Sequence, residues 1–226
     1  MPPFALILPA AGQSTRYGGT RSKLLESLNG RSVIARSLQP FLDRADLACV
    51  MIPTADADSL RSVLEPLDGR IEFCAGGDCR AKSVYEALKR VPTAIEWIAV
   101  HDAARPNISP KLIEATLVAA EKHGAAVPAL AAALTIKQAS GPLPAKVERT
   151  LPRHSLWTMQ TPQIMRRIDL LNAFENCPLP LDQVTDDMQL LELTGIDVWL
   201  VPGDEGNLKI TTAMDLRIAQ LWLEGN

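Results

Sequence analysis

The stretch LILPAAGQSTRYGGTRSKLL, residues 6–25, opens with a short apolar run, passes through a turn of small residues and then collects Arg16, Arg21 and Lys23 within eight positions. A continuous apolar run that stops at such a turn reads as a strand buried on both faces, the kind that parallel sheets use. Further runs of the same kind lie at Leu47–Ile52, Ile71–Cys74, Trp97–Val100 and Ala125–Leu130, with the opening strand at Ala5–Leu8. Between them, Val33–Leu42, Asp56–Leu64, Lys82–Arg90 and Leu112–His123 carry helical periodicity. The alternation predicts an α/β fold: a single Rossmann-like domain over residues 1–226, with a mostly parallel sheet, helices on both faces and right-handed crossovers.

In open sheets of this class ligands bind outside the carboxyl ends of the strands. That rule gathers the turn after Leu8, the AGGDCR turn (75–80) and the HDAARP turn (101–106) on one rim. From Leu134 the pattern changes. LTIKQASGPLPAKVERTL (134–151) reads as two short strands around a Gly/Pro turn, polar where a core needs apolar residues. The segment 134–155 is therefore an arm, either a surface hairpin or a dimerisation element, since a lone two-stranded ribbon is marginal in water. Helices at Ile168–Phe174 and Asp186–Leu193, a strand DVWLV (197–201) and a helix from Ala213 to Leu223 follow, the last with Thr212 as its cap and Asp215 in its first turn.

Composition narrows the function. The 226 residues are 47% hydrophobic with a net charge of −3, which supports a sizeable core and argues against a nucleic-acid surface. Apolar runs fall short of a membrane span, and MPPFALILPAAG has neither the charged start nor the cleavage pattern of a signal peptide, so a cytoplasmic location is expected. Cys49, Cys74, Cys79 and Cys177 match neither a CxxC pair nor a disulfide framework, and His101, His123 and His154 are too scattered for a zinc site.

The rim carries the chemistry. Pro9, Ala10, Ala11 and Gly12 are small enough for close backbone approach, and amides in such a turn can donate to phosphate oxygens. Neither a GxxxxGK[ST] loop nor a GxGxxG fingerprint is present, so the basic turn reads either as a phosphate grip or as a solvated loop. Asp102, directly after a buried strand, is placed to hold a divalent cation alongside substrate phosphates, or to cap its turn and pair with Arg105. Lys209 in GNLKITT projects inward or into water. Gly76 and Gly77, ahead of Ser83, permit a tight turn or contact with a flat base.

Taken in order, LPAAGQSTRYGGTRSKLL, GGDCRAKSV, VHDAARP, TIK, LWTMQTPQ, TDDMQLLE and GNLKITTAMDL resemble the 2-C-methyl-D-erythritol 4-phosphate cytidylyltransferases of the non-mevalonate isoprenoid pathway, over nearly the whole chain. The resemblance implies transfer of CMP from CTP to methylerythritol phosphate, with release of pyrophosphate, by a Mg²⁺-dependent homodimer. It implies catalytic roles for Arg16, Lys23 and Lys209, with Arg16 and Lys23 gripping the triphosphate, and CTP contacts from the PAAG turn, Gly77, Asp78 and Ser83. It also implies that Asp102 is the Mg²⁺ ligand, that Arg105 lies near the substrate, and that Thr135, Arg153 and Thr161 hold the acceptor phosphate, some from the partner's arm. The chain departs from the family pattern at Ser14, Ser22, Leu24 and Leu134. A transferase for another polyol phosphate such as ribitol 5-phosphate shares the CTP half. An inactive nucleotide-binding regulatory protein and a uridylyl- or guanylyltransferase are the other readings. Some relatives are fused to a later cyclase, for which 226 residues leave no room.

Overall fold

The computed structural model describes residues 2–12, 17 and 22–225. Its strands are β1 (Phe4–Ile7), β2 (Ser27–Leu28), β3 (Arg31–Ser32), β4 (Leu47–Thr54), β5 (Ile71–Ala75), β6 (Trp97–Val100), β7 (Ala125–Ala131), β8 (Ile136–Ala139), β9 (Val147–Leu151), β10 (Trp157–Met159), β11 (Gln163–Arg166) and β12 (Trp199–Pro202). The helices are α1 (Val33–Leu42), α2 (Ala57–Val63), α3 (Arg80–Leu88), α4 (Pro110–His123), α5 (Arg167–Glu175), α6 (Asp187–Leu193) and α7 (Ala213–Glu224). Eight strands form one sheet in the order β10-β7-β11-β6-β1-β4-β5, with β12 also paired to β7.

The expected α/β architecture is present. β1 pairs in parallel with β4 and β6, β4 with β5, and β12 with β7, so the sheet is mostly parallel. Two strands that periodicity did not find run against this direction: β11 between β6 and β7, and β10 beside the end of β7. Side chains alternate across the sheet with period two. Phe4, Leu6, Val50, Ile52 and Ala99 face α1, α2, α4 and α7, whereas Ala5, Ile7, Met51, Ile98 and Val100 face α3, α5 and α6. β1 and β6 are buried along their whole length. Each large side chain so removed from water contributes about 1.5–3 kcal/mol, which is why these central strands anchor the turns at their ends.

Local chemistry sets the element ends. Ser109 caps α4, Pro110 stands in its first turn and Gly124 ends it with a positive φ. Thr212 and Asp215 form a reciprocal capping box at the start of α7, as the sequence indicates. The two-residue turn Asn29-Gly30, both residues at positive φ, closes the β2–β3 hairpin. The arm is a separate two-stranded sheet of β8 and β9. No helix among the described residues is long and apolar enough to cross a membrane.

Behind the β5–α3 turn the packing is tight enough to exclude a methyl group. A Cβ on Gly77 stands 2.4 Å from Cβ of Lys82 and 3.0 Å from its carbonyl carbon, so backbone, not only a flexible side chain, blocks it. Gly77→Ala is expected to destabilise the protein by about 1–3 kcal/mol, the usual cost of overpacking; an unchanged urea midpoint shows instead that the turn can yield.

Candidate active site

The rim predicted from strand ends is a cavity of about 880 Å³. Pro9, Ala10, Ala11 and Gly12 after β1, Thr54 and Ala55 at the end of β4, Gly76–Arg80 and Ser83 after β5, Asp102–Ala104 after β6, Lys23 and Lys209 line it. Its size falls in the ordinary range for small-molecule sites, about 300–1,000 Å³.

At its floor Asp102 gathers cations. Lys209 Nζ stands 3.0 Å from Oδ2, Arg105 Nε 3.1 Å from the same oxygen and Arg80 Nε 3.7 Å from Oδ1. Burial pushes the Asp102 carboxyl up, but Lys209, Arg80 and Arg105 outweigh it and hold the group well below the usual carboxylate range. The group is therefore an anion at any physiological pH. Lys209 thus projects inward, which settles the choice left open by its apolar neighbours.

Hydrogen bonds tie the walls together. Arg105 Nη1 donates to the Asn207 carbonyl at 2.8 Å, and the Ile210 amide donates to the Ala104 carbonyl at 2.8 Å, which docks the Lys209 segment onto the HDAARP turn. Lys23 Nζ donates to the Ile210 carbonyl at 2.7 Å. Lys23 begins a short 3-10 turn capped by Ser22, and the next side chain, Leu24, is buried in the core. The departures at Ser22 and Leu24 thereby have local uses: one caps the turn and the other anchors it.

The QTPQ segment between β10 and β11 is the common tether. Gln160 exchanges two hydrogen bonds with the backbone of Asp204, at 2.8 and 3.1 Å. Thr161 Oγ1 accepts from the Asp102 amide at 3.0 Å and lies 2.9 Å from His101 Nδ1. Burial pushes the His101 imidazole down to about 3, so the ring is neutral; its Nδ1 then accepts from the threonine hydroxyl while Nε2 faces the Arg105 carbonyl at 3.4 Å. Gln163 reaches the other way, donating from Nε2 to Asp186 at 2.9 Å and accepting from the Asp187 amide at 3.0 Å.

Not every residue marked in the sequence reaches the cavity. Arg16 lies outside the described residues, as does Ser14. Arg105 is buried behind Asp102 and does not line the cavity. Thr161 is buried with its hydroxyl engaged as above, while Thr135 and Arg153 are exposed on the arm, where Arg153 Nη1 donates to the Ala133 carbonyl at 2.8 Å. Within the PAAG turn Pro9 has no amide hydrogen and Ala10 donates to the Pro53 carbonyl at 2.9 Å, which leaves Ala11 and Gly12 as the donors an anion can use. Ser83 accepts from the Gly77 amide at 3.0 Å and donates to the Cys79 carbonyl at 2.9 Å, so it shapes the turn. Asp78 pairs at the surface with Lys82, 2.7 Å away.

Sequence reasoning missed Arg80, which lines the cavity one residue into α3 and pairs with the buried Asp187 at 2.8 Å. The signal was present. Asp187 occupies the same helical face as the buried Leu190 and Leu191, and a carboxylate on a buried face requires a cation.

As for a metal, no group of three or more His, Cys, Asp or Glu residues capable of holding one occurs among the described residues. Asp102 offers a single carboxylate, whose Oδ1 lies beside the more distant Arg80 while Oδ2 serves two cations. This donor set fits Mg²⁺ only together with substrate phosphates, the usual arrangement for that ion.

Residues 4–225 match the family model described as 2-C-methyl-D-erythritol 4-phosphate cytidylyltransferase. A protein of that name from Bacillus mycoides is 36% identical, the alignment covering 97% of each chain. One from Symbiobacterium thermophilum is also 36% identical, over 98% of this chain and 93% of the relative. The crystal structure of the Francisella tularensis 2-C-methyl-D-erythritol 4-phosphate cytidylyltransferase superposes with a TM-score of 0.84 at 31% identity, covering 97% of this chain and 99% of that one. The chain belongs to the 2-C-methyl-D-erythritol 4-phosphate cytidylyltransferase family.

Proposed function

We propose that the protein transfers CMP from CTP to 2-C-methyl-D-erythritol 4-phosphate, releasing pyrophosphate, and that residues 1–226 act as one nucleotidyltransferase domain. The observation that carries this reading is the cation cluster around Asp102 at the floor of a strand-end cavity. Lys23, Arg80 and Lys209 line that cavity, and Arg105 backs it. An excess of positive charge held in place before any ligand arrives suits a triphosphate.

The acceptor's phosphate oxygen attacks the α-phosphorus in line, the bond from that phosphorus to the bridging oxygen of the β-phosphate breaks, and pyrophosphate leaves with the electron pair. No protein nucleophile is required, and catalysis is positioning plus stabilisation of developing charge. Two unit charges 4 Å apart interact by about 4 kcal/mol near a protein surface, so two anionic substrates need fixed cations between them. Lys209, held by Asp102, and Lys23, held by the Ile210 carbonyl, supply such cations. The amides of Ala11 and Gly12 and the wall at Gly77 and Asp78 supply the remaining nucleotide contacts, with Arg16 assigned to the triphosphate by family resemblance. Mg²⁺ held by Asp102 and the phosphates supplies further charge neutralisation when bound.

We place the acceptor phosphate with Thr135, Arg153 and Thr161. Thr135 and Arg153 do not line their own chain's cavity, which supports an arm that serves a second copy. The arm and the neighbouring edge expose Leu134, Leu143, Val147, Trp157 and Met159, an apolar surface suited to a homodimer. The need for CTP and four free cysteines supports a cytoplasmic location.

Pyrophosphate release from CTP is expected with methylerythritol phosphate and not with ribitol 5-phosphate; the reverse order overturns the acceptor assignment, and CTP binding without turnover of either supports the regulatory reading. Lys23→Ala and Lys209→Ala are each expected to lower kcat by about 10²–10³-fold, the loss typical of one charge-stabilising donor, with an unchanged circular dichroism spectrum. A near-normal rate removes that residue from the mechanism. Light scattering should return twice the chain mass, and Leu134→Asp with Leu143→Asp should yield monomers with a raised KM for the acceptor; a monomeric unaltered protein sinks the role of the arm.

A further inference from the structure

Asp187 has no exposed surface. A buried carboxylate is costly unless a cation meets it, and the one that does is Arg80, with Nη2 2.8 Å from Oδ2. Among the described residues no other side chain forms an ion pair with Asp187. The backbone that carries this carboxylate is fixed from the sheet: the Asp187 amide donates to Gln163 Oε1 at 3.0 Å, Gln163 Nε2 donates to Asp186 at 2.9 Å, and Asp186 caps α6. Gln163 is buried on β11, so the chain of contacts runs from the sheet through Gln163 and Asp187 to Arg80.

A second nitrogen of the same guanidinium faces the site. Arg80 Nε lies 3.7 Å from Asp102 Oδ1, and the residue lines the cavity with part of its side chain exposed. An arginine is otherwise a long, flexible side chain with about 2 kcal/mol of rotamer entropy. Held between two carboxylates it presents a fixed cation instead. We infer that Asp187 is a positioning residue for the nucleotide phosphates, acting through Arg80: it fixes the guanidinium at the cavity wall beside Asp102, so that the triphosphate meets a preformed cation.

This inference rests on the cavity being the CTP site, and the test separates the two. CTP is titrated calorimetrically, with Mg²⁺ present, into the unaltered protein, Asp187→Asn, Arg80→Ala and the double variant, and KM is measured for both substrates. Absence of binding by the unaltered protein ends the reading of the site. With that binding in hand, Asp187→Asn is expected to weaken CTP about tenfold and raise its KM while leaving the acceptor KM near normal. In the Arg80→Ala background the same change should cost less than twofold, because the group it positions is gone. Normal CTP affinity in Asp187→Asn, or an equal loss in both backgrounds, overturns the inference. Where Asp187→Asn does not fold, Arg80→Lys decides: it keeps the charge but lacks a second nitrogen to span both carboxylates. Weakened CTP binding at an unchanged melting temperature supports the inference, and unaltered affinity overturns it.

Discussion

The site depends on a carboxylate that is buried and still ionised. Asp102 sits just past the end of β6, a strand buried along its whole length, where low solvation opposes charge. Three cations from three different parts of the chain offset that penalty: Arg80 from α3, Arg105 from the same turn and Lys209 from the segment before α7. The dependence is mutual. Without Asp102 three like charges crowd together, and without them the carboxylate is an uncompensated buried anion.

Asp187 shows what the number of partners decides. It is buried still more completely than Asp102, Arg80 is its only ion-pair partner among the described residues, and Asp186 lies close by; burial therefore outweighs the cation and pushes its carboxyl up. At Arg80 the balance falls the other way: Asp187 and Asp102 together outweigh burial and raise the guanidinium above its ordinary value. The guanidinium stays charged whatever the state of either neighbour. A fixed cation between two buried carboxylates, one held below the usual range and the other pushed above it, is well suited to a site where phosphate charge arrives and leaves.

The strand ends were legible because continuous apolar runs and small-residue turns are local signals. β1, β4, β5, β6 and β7 all appear where their Val- and Ile-rich runs lie, and the PAAG, GGDC and HDAARP turns meet at one rim. β10 and β11 were not legible in that way, since QIMR is four residues long and becomes a strand only by pairing with distant β6 and β7. The β2–β3 hairpin is a different miss, for Asn29-Gly30 is a strong local turn signal that the helical reading of the flanking chain passed over. Side-chain destinations were harder still. Thr161 and Ser83 were marked for ligands; that their hydroxyls also meet His101, Asp102, Gly77 and Cys79 was not readable, because a buried hydroxyl bonds polar neighbours that are distant in the sequence or set by the turn.

The QTPQ segment explains why a short stretch with little obvious chemistry accompanies this site. β11 is inserted between β6 and β7, which puts the segment before it beside the carboxyl end of β6. From that position Gln160 holds the 204 loop, Thr161 the Asp102 turn and Gln163 the start of α6. Lys209 follows the first loop, Asp102 stands on the second and Arg80 pairs with the residue fixed by the third. The two antiparallel pairings that interrupt an otherwise parallel centre are therefore what allow one segment to set the spacing of the charged groups, and the regularity given up in the sheet returns as order in the site.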